Sequence, residues 1–255
     1  MLEQPPTAIP SDGSRPRKPR YAVRVQRVVR VTPRMVRVTF AGEDLAGFTW
    51  SGPASHIKLI FETGAMRTYT PRRFDREARE LDVVFVVHGE GPASAWAEQA
   101  AVGQSLTVAG PGRSYSVDPA ADWYLLVGDD AAIPAIGTIL EALPPGARVL
   151  LILEVVDAAE EHSLEAHGPR AEIRWVQREA APSGAGRQLE AAVRRLELPA
   201  GSGRIYVACE ADAMRRIRRH LLAERHFPRT QLVTRGYWRQ GETDHPDRDY
   251  GEDVA

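Results

Sequence analysis

The chain has 255 residues, of which 43% are hydrophobic and 26% are charged, an ordinary composition for a globular protein of one large or two small domains. The formal net charge of -1 argues against a dedicated nucleic-acid-binding protein, and no apolar run approaches the roughly 20 residues that a membrane-spanning helix needs. The single cysteine, Cys209, can neither close an internal disulfide nor hold an iron–sulfur cluster, so we expect a cytoplasmic protein whose redox chemistry, if any, uses a bound organic cofactor.

The first 20 residues are rich in proline and basic residues, which predicts a flexible tail. Short β-branched runs with alternating polarity follow, separated by glycine and proline, and they predict an antiparallel barrel over residues 21–115. One alanine-rich helix is predicted at 92–100, where Pro92 suits the first helical turn. The predicted strands lie within residues 23–31, 35–40, 56–61, 81–87 and 106–108.

After Pro119 the pattern changes to continuous apolar strands that alternate with helices, which indicates a doubly wound parallel α/β domain over residues 122–240. The predicted fold class is therefore β plus α/β, with a ligand cleft between the two domains. The polar residues 241–255 predict a loose C-terminal tail. Strands are predicted at 123–127, 148–154, 172–176, 204–209 and 231–234, and helices at 133–142, 188–196 and 211–225.

A cation, an aromatic ring and a hydroxyl occur within four residues of the segment Arg67-Thr68-Tyr69-Thr70-Pro71-Arg72, which lies between two predicted strands. On a strand, Arg67 and Tyr69 share one face and Thr70 points to the other. Because arginine binds phosphate bidentately and tyrosine packs against ring systems, this set suits a flat anionic cofactor. The alternative is a half-buried strand with two exposed arginines.

Residues 87–94 run from a predicted strand into the start of a predicted helix, where free N–H groups and the helix dipole favour a phosphate. Gly91 permits close approach of a ligand to the backbone, and Ser94 can donate a hydrogen bond. The alternatives are that Ser94 only caps the helix and that His88 is a satisfied histidine at a strand end.

The α/β domain opens with Gly128-Asp129-Asp130, which is not the G-x-G-x-x-G fingerprint of dinucleotide-binding sheets. Two aspartates at a helix start would repel a pyrophosphate there, so a bound dinucleotide has to lie differently. The alternative is that Asp129 is an ordinary N-cap. Tyr237 and Trp238 follow the last predicted strand, and their rings need either a ligand to stack on or a place against the barrel.

Signals for metal binding and nucleophilic catalysis are weak. His162 and His167 are five residues apart and do not share a helical face well, so they predict a solvated loop. The sequence contains no G-x-S-x-G elbow and no P-loop. We therefore expect no protein-bound metal and no catalytic acid, base or nucleophile.

Taken in order, these segments resemble the siderophore-interacting protein family, the ferric-siderophore reductases of the ferredoxin–NADP reductase-like superfamily. The resemblance covers nearly the whole chain from Tyr21 to about Gly241, and it rests on the order and spacing of the motifs. It implies an FAD-binding barrel followed by a NAD(P)H-binding domain. The motifs are residues 32–38, 56–59, 67–72, 88–97, 122–129, 132–136 and 236–239.

The resemblance assigns one set of barrel residues to FAD. Arg67 would contact the FAD phosphates, and Tyr69 and Thr70 would line the isoalloxazine ring. Val87 and His88 would border the flavin and its ribityl chain. The residues expected to bind FAD, ending with those that would hold its pyrophosphate, are Arg67, Thr68, Tyr69, Thr70, Val87, His88, Gly91, Ala93 and Ser94.

The resemblance also assigns residues to the nicotinamide side of the cleft. Trp238 would lie near the flavin where nicotinamide has to enter. Family members usually have glycine at the position of Cys209, whose side chain either crowds the nicotinamide or packs in the core. The residues expected to line the nicotinamide are Gly128, Asp129, Ala132 and Glu210.

Acidic residues follow the second parallel strand, at Asp157, Glu160 and Glu161. A 2′-phosphate often lies at this point of such a fold, so the acidic residues would disfavour NADPH. The sequence leaves the choice between NADH and NADPH open.

The resemblance further implies that basic residues at the cleft mouth meet anionic ferric chelates, and the candidates are Lys58, Arg113 and Arg239. The implied activity is reduction of ferric siderophores in iron uptake. Hydride passes from NADH or NADPH to FAD, and single electrons then pass to Fe(III), which leaves the chelate as Fe(II). We expect a monomer with no nucleic-acid partner and no stable membrane insertion.

Two other functions remain compatible with the sequence. One is a flavin enzyme of the same architecture that reduces free flavin, a quinone or a protein partner. The other is a non-enzymatic binder of a ferric siderophore or nucleotide that has lost its flavin. The intact set of Arg67, Tyr69, Thr70 and Ser94 argues against the second.

Overall fold

The computed structural model describes residues 18–89, 91–162, 164, 170–178, 185–243, 245–246 and 249–251. The tail predicted for residues 1–20 therefore falls almost entirely outside the described residues. One antiparallel sheet is followed along the chain by one parallel sheet, and this arrangement confirms the predicted fold class.

Seven antiparallel strands form the first sheet, which curls into a half-barrel. The strands are β1 (Arg20–Arg30), β2 (Met35–Ala41), β3 (Ile57–Ile60), β4 (Met66–Tyr69), β5 (Pro71–Asp75), β6 (Glu80–Val86) and β7 (Ser105–Ala109), in the spatial order β4-β3-β7-β1-β2-β6-β5. Along β1, Val23 and Val25 are buried while Arg24 between them is exposed, because successive side chains point to opposite faces. Strands β4 and β5 stand at opposite edges although only Thr70 separates them in the chain.

Helix α1 (Pro92–Glu98) packs on the half-barrel core through Trp96. The Trp96 ring lies 6.0 Å from the Phe40 ring and 5.4 Å from the rings of Phe61 and Phe85, between centroids. Buried aromatic rings contribute large apolar areas, so this cluster anchors the helix and the loop that precedes it.

Five parallel strands form the second sheet, with helices on both faces. The strands are β8 (Trp123–Asp129), β9 (Arg148–Val155), β10 (Arg170–Gln177), β11 (Gly203–Glu210) and β12 (Leu232–Trp238), in the order β10-β9-β8-β11-β12. Helix α2 (Ile133–Ala142) covers one face, and α3 (Arg187–Arg195) with α4 (Ala211–Arg219) covers the other. Strand β8 is buried throughout and supplies Leu126 to one core and Leu125 to the other, which explains its continuous apolar run.

Three elements differ from the sequence prediction. Strand β5 was not predicted, because its segment Pro71-Arg72-Arg73 has little apolar alternation. Strand β12 continues to Trp238 because Gly236 and Trp238 still pair with β11. The helix predicted to reach residue 225 ends at Arg219 and continues as one wider π-helical turn, His220–Glu224.

The described residues near the C-terminus pack against the parallel sheet, where the sequence predicted a loose tail. Asp249 forms a backbone bridge with Gly236 of β12, and its carboxylate accepts a hydrogen bond from Arg215 at 2.8 Å. The Thr234 hydroxyl donates to the Tyr250 carbonyl at 2.6 Å. Polar composition alone missed this segment because its contacts are hydrogen bonds and ion pairs rather than apolar burial.

The two sheets are joined by polar contacts as well as by packing of Met35 against the α/β domain. The Glu160 carboxylate, only 2% exposed, accepts hydrogen bonds from the Thr32 hydroxyl and from the Arg34 backbone N–H, the latter at 2.9 Å. Glu160 therefore belongs to the domain interface, and its carboxylate is not free to repel a 2′-phosphate as the sequence suggested.

We expect Glu160→Ala to lower the free energy of unfolding by about 1–3 kcal/mol, because it leaves the buried Thr32 hydroxyl and the part-buried Arg34 N–H without an acceptor. Urea denaturation followed by circular dichroism measures the change. Glu161→Ala is the matched control, since Glu161 is exposed and its loss should change stability by less than about 0.5 kcal/mol. Equal stability of the two variants would contradict the role given to Glu160.

Candidate functional site

The segment Arg67-Thr68-Tyr69 lies on the edge strand β4, as its sequence suggested. Leu59 of β3 pairs with Arg67 and is fully buried, whereas Lys58 pairs with Thr68 on the opposite face. Arg67 and Tyr69 therefore face the core side of the sheet, and Thr68 and Lys58 face outward.

The Tyr69 ring packs against Phe85, with 4.5 Å between ring centroids. Burial raises the pKa of Tyr69, and the positive charge of Arg67 opposes this rise. Because Phe85 also contacts Trp96 of α1, one aromatic row connects the β4 edge with the loop before α1. The structure thus brings together two segments that the sequence singled out separately.

The loop before α1 is held by Ser94, which is buried. Its hydroxyl oxygen accepts hydrogen bonds from the backbone N–H groups of His88 at 3.0 Å and Gly89 at 3.2 Å. Ser94 is therefore a loop tether rather than the helix cap, which is Gly91. Gly89 and Gly91 both have φ of +79°, and a Cβ on either would meet no atom within 4 Å, so their backbone is open to a ligand.

The other predicted residues of this loop differ in exposure. Val87 and Ala93 are buried in the half-barrel core, and His88 is exposed. Val87 and Ala93 thus anchor the loop to the half-barrel core, whereas His88 is accessible to a ligand.

At the carboxyl end of β8, the Asp129 side chain is buried and accepts hydrogen bonds from three groups. Its donors are the Ala131 N–H at 3.1 Å, the Glu210 N–H at 2.9 Å and the Trp238 indole N–H at 2.8 Å. Burial and the negative charge of Asp130 raise the pKa of Asp129 to about 7, against the opposing effect of Arg178. The aspartate is an N-cap, as one interpretation of the sequence held, and it also fixes Trp238.

Trp238 reaches Asp129 because β12 contains a bulge. Cys209 pairs with Gly236 and the next residue, Glu210, pairs with Trp238, so Tyr237 is the extra residue. The Tyr237 hydroxyl lies 2.9 Å from the Tyr206 hydroxyl. Tyr237 and Trp238 are thus half-buried residues of the last strand, and both form hydrogen bonds to other strands of the sheet. They do not lie exposed beyond the end of the strand.

The Thr70 side chain lies close enough to the Tyr237 hydroxyl to oppose the rise that burial causes in the pKa of Tyr237. This contact joins the β4 edge of the half-barrel to the last strand of the parallel sheet. Sequence analysis did not predict it, although the two motifs that it connects were both singled out.

The residues predicted to line the nicotinamide are brought together, but they lie beneath the surface. Ala132 is fully buried, and Asp129 and Glu210 are 1% and 4% exposed. A Cβ on Gly128 would lie 2.6 Å from Ile136 Cδ1, so this glycine is required for close packing. Cys209 is fully buried in the second core of the α/β domain, which favours packing over the alternative that it crowds a ligand.

Sequence analysis missed a buried ion pair at the same edge. Glu154, at the end of β9, is fully buried, and it accepts a hydrogen bond from Arg178 Nε at 3.0 Å. Arg178 also lies 3.3 Å from Asp130. The signal in the sequence was an acidic residue, Glu154, at the end of a predicted apolar strand. In the fold, Glu154 pairs with Asp129 of β8.

No contact among the described residues brings the three predicted substrate-binding cations together. Lys58 lies on the outer face of β3, and Arg113 is exposed in the loop after β7. The backbone N–H of Gly112, beside Arg113, donates to the His56 carbonyl at 2.6 Å, so this loop runs along the start of β3. Arg239 instead pairs with Asp212 at 2.8 Å.

Within the described part of the chain, no helix is long and apolar enough to cross a membrane. The same residues contain no group of three or more histidine, cysteine, aspartate or glutamate side chains arranged to hold a metal ion. The His162 ring lies 2.9 Å from the Glu160 carbonyl and close to Trp175. His167 lies outside the described residues.

The ionisation of Asp129 should be visible in the fluorescence of Trp238. Asp129 is neutral below about pH 7 and charged above it, and the indole N–H donates a stronger hydrogen bond to the charged form. The fluorescence difference between the native protein and Trp238→Phe should therefore titrate with a midpoint near pH 7. In Asp129→Asn the titration should vanish, and a midpoint that persists there would assign it to another group.

The half-barrel side of the cleft fits FAD. Tyr69, supported by Phe85, offers an aromatic wall, and Arg67 offers a guanidinium that can pair with phosphate. The open backbone at Gly89 and Gly91 leaves room for a group that approaches the chain closely. An aromatic wall, a cation and an open loop match the ring system and the pyrophosphate of this cofactor.

Comparison with known proteins gives matches along most of the chain. Residues 121–241 match the family model of the siderophore-interacting protein, and residues 24–65 and 62–115 match that of the siderophore-interacting FAD-binding domain. A crystal structure of a siderophore utilization protein from T. fusca is 39% identical and covers 90% of this chain and 96% of its own, with a TM-score of 0.81.

Two curated relatives are also similar over most of their length. The ferric vibriobactin reductase ViuB of Vibrio cholerae is 33% identical over 84% of this chain and 87% of its own. The NADPH-dependent ferric-chelate reductase of Escherichia coli is 30% identical over 86% of this chain and 97% of its own. With both of its domains matched and these relatives aligned, the chain belongs to the siderophore-interacting protein family.

Proposed function

We propose that this protein binds FAD on its half-barrel and uses NADH or NADPH to reduce ferric siderophores, which releases Fe(II) during iron uptake. It acts in the cytoplasm as a monomer, without stable insertion into a membrane. The observation that carries the proposal is the arrangement of Arg67, Tyr69 and the Ser94 loop around one aromatic row of the half-barrel.

The similar proteins support the reductase activity. One relative is named a ferric vibriobactin reductase and another an NADPH-dependent ferric-chelate reductase. The motif at β4 and the loop before α1 lie within the part of the chain that matches the FAD-binding domain.

The chain's own residues would bind and orient the reactants. Arg67 would neutralise phosphate charge, the backbone at Gly89 and Gly91 would approach the pyrophosphate, and Tyr69 would support the ring. Trp238, tethered to Asp129, helps to exclude water from the carboxyl edge of the parallel sheet, where the electron donor would arrive. Positioning of this kind needs no protein nucleophile.

Bound FAD supplies the conversion of a two-electron hydride into single electrons. One dihydronicotinamide loses a hydride, and two ferric ions each gain one electron, so two ferric chelates are reduced for each donor oxidised. Iron(III) is a hard ion held by oxygen ligands, and Fe(II) is held less firmly by the same set.

The test combines a spectrum with an assay. The purified protein is incubated with FAD, desalted, and given NADH or NADPH and a ferric siderophore without oxygen while an Fe(II)-specific chelator reports the product. We expect a retained flavin spectrum and Fe(II) formation that depends on FAD. Faster reduction of a quinone or free flavin than of the ferric chelate would favour the general reductase. A colourless protein that still binds the chelate would favour the non-enzymatic binder.

We expect Lys58→Ala to lower kcat/KM for an anionic ferric siderophore several-fold at low ionic strength, because a cation on the outer face of β3 still attracts an anionic substrate through its long-range field. The effect should shrink at high salt, where the charge is screened. Lys58→Arg should preserve the activity, and a neutral quinone acceptor should show no change in Lys58→Ala. Unchanged kinetics with the anionic chelate at low salt would remove Lys58 from the substrate site.

A further inference from the structure

The described residues after β12 fold back onto this strand, which is the last in the order of the parallel sheet. The Gly236 N–H donates to the Asp249 carbonyl at 2.8 Å, and the Thr234 hydroxyl donates to the Tyr250 carbonyl at 2.6 Å. The Arg235 guanidinium lies 4.2 Å from the centre of the Tyr250 ring, within the range of a cation–π contact. At these positions the edge of the sheet is therefore covered by the chain's own C-terminal residues.

His245 lies between two carboxylates in this part of the chain. Its Nδ1 is 3.1 Å from Glu242 Oε2, and its Nε2 is 2.8 Å from Asp249 Oδ2. The ring packs against β12 at Gly236, where a Cβ would lie 3.1 Å from Nε2. The side chains of His245 and Asp249 are only 6% and 7% exposed, so water has little access to the contact between them.

The two contacts of the ring need two protons between them. A carboxylate oxygen and an imidazole nitrogen without hydrogen are both acceptors, and a neutral imidazole has only one N–H. Both distances are those of hydrogen bonds, so each contact contains a proton. Arg215 donates to the same Asp249 oxygen at 2.8 Å, which favours the charged form of that carboxylate and leaves both protons on the imidazole.

Charged groups from three elements surround this histidine: its own segment, helix α4 and the end of β12. Among the described residues they are the carboxylates of Asp212, Glu242 and Asp249 and the guanidinium groups of Arg215 and Arg239. Arg215 lies 3.6 Å from Asp212, and Arg239 lies 2.8 Å from Asp212 and 3.4 Å from Glu242. A positive imidazole is the third cation that balances the three carboxylates, and its deprotonation leaves one negative charge uncompensated.

We propose that Glu242, His245 and Asp249 form a pH-sensitive clasp that holds the described C-terminal residues against β12 and α4. The clasp is closed while the three side chains share two protons. When one proton leaves to bulk water, a nitrogen lone pair faces a carboxylate oxygen at hydrogen-bond distance, and the two repel where little water can intervene. The clasp therefore opens as the pH rises through the range in which histidine titrates, and it closes again on acidification.

The clasp lies next to a residue that the proposed reductase would use. Arg239 directly follows Trp238, and its guanidinium pairs with Asp212 and with Glu242 of the clasp. Opening frees Glu242 from its contact with His245 and so changes the charge around a cation expected to meet anionic chelates. The inference itself does not rest on the reductase function, because it concerns only how the chain after β12 is held.

Hydrogen exchange of the Gly236 amide reports the state of the clasp, because this N–H donates to Asp249. The full chain, labelled with 15N, is measured by NMR at about pH 6 and about pH 8.5, and each rate is divided by the intrinsic exchange rate at that pH. We expect the protection of Gly236 to fall about tenfold or more at the higher pH, the effect of losing a hydrogen bond to a charged group. Protection of Leu125 and Leu126 in the buried strand β8 should not change.

The nitrogen resonances of the His245 ring give an independent readout. At the lower pH both nitrogens should carry a proton. One of them should lose its proton over the same pH range in which the protection of Gly236 falls.

Two substitutions should move the clasp in opposite directions. Glu242→Gln supplies an amide that donates to a neutral Nδ1, so the second proton is no longer needed and Gly236 should keep its protection at the higher pH. His245→Gln can donate from only one end of its amide, so protection should be low at both pH values. The matched control is His226→Asn, since His226 is exposed and its φ of +52° is tolerated by asparagine; it should behave as the native protein.

The inference is overturned if Gly236 keeps its protection while His245 loses its proton, or if His245 holds both protons up to about pH 8.5. Equal pH dependence in the native protein and Glu242→Gln would also contradict it, even if His245→Gln does not fold. The measurement needs neither FAD nor a ferric siderophore. Failure of the clasp thus leaves the reductase proposal untouched, and a protein that retains no FAD would leave the clasp standing.

Discussion

Replacing Arg67 with alanine should weaken FAD binding by about a hundred- to a thousandfold. Arginine pairs bidentately with phosphate, and hydrogen bonds to charged groups contribute roughly 1.5–3 kcal/mol each, with each 1.4 kcal/mol worth a factor of ten. Arg67 sits on β4 directly beside Tyr69, where its Nη1 also donates to the Met66 carbonyl at 2.8 Å. Titration of the apoprotein with FAD, followed by flavin fluorescence, measures the affinity.

The control for this variant is Arg73→Ala. Arg73 lies on β5 at the opposite edge of the sheet, is exposed and pairs with Asp75 at 3.0 Å, so its loss should leave FAD affinity within about threefold of the native value. Arg67→Lys should be intermediate, because lysine keeps the charge but not the bidentate geometry. Native FAD affinity in Arg67→Ala would contradict the assignment of this residue to the cofactor phosphates.

Phe85→Ala should lower the free energy of unfolding by about 3–5 kcal/mol, as expected when a buried aromatic side chain is deleted. Phe85 is fully buried and contacts both Tyr69 and Trp96. Its loss opens a cavity at the point where the β4 edge and helix α1 meet. Thermal and urea denaturation measure the effect on stability.

A second core variant separates stability from cofactor binding. Val38 is fully buried in the same core, and Val38→Ala should destabilise the fold without removing a ring that supports Tyr69. At a temperature where both variants are folded, Phe85→Ala should also weaken FAD binding, and Val38→Ala should not. Equal FAD affinities in the two variants would show that Phe85 serves the core alone.

Much of the fold could be predicted from the chain because its signals are local. Alternation in β1 indicated a strand with one buried face, and the continuous apolar run of β8 indicated a strand covered on both sides. Helix α2 was predicted with its observed bounds, Ile133–Ala142, because an apolar stretch beginning near a proline is a local feature.

Elements with weak local patterns were missed or shortened. Strand β5 contains two arginines, and the last two residues of β12 follow a glycine. Both form because a neighbouring strand offers hydrogen-bond partners, β6 in one case and β11 in the other. Such pairing depends on residues far away in the chain, so polarity within the segment does not reveal it.

By itself, the sequence determined the two-sheet architecture, the family resemblance and the grouping of Arg67, Tyr69 and Ser94 as one candidate site. Only the tertiary structure decided that Trp238 is tied to Asp129, 109 residues away, and that Glu160 holds Thr32 across 128 residues. Periodicity and capping act over a few neighbouring residues, and a sequence displays them directly. Which buried carboxylate meets which donor depends on how distant segments pack, and that packing exists only in the folded chain.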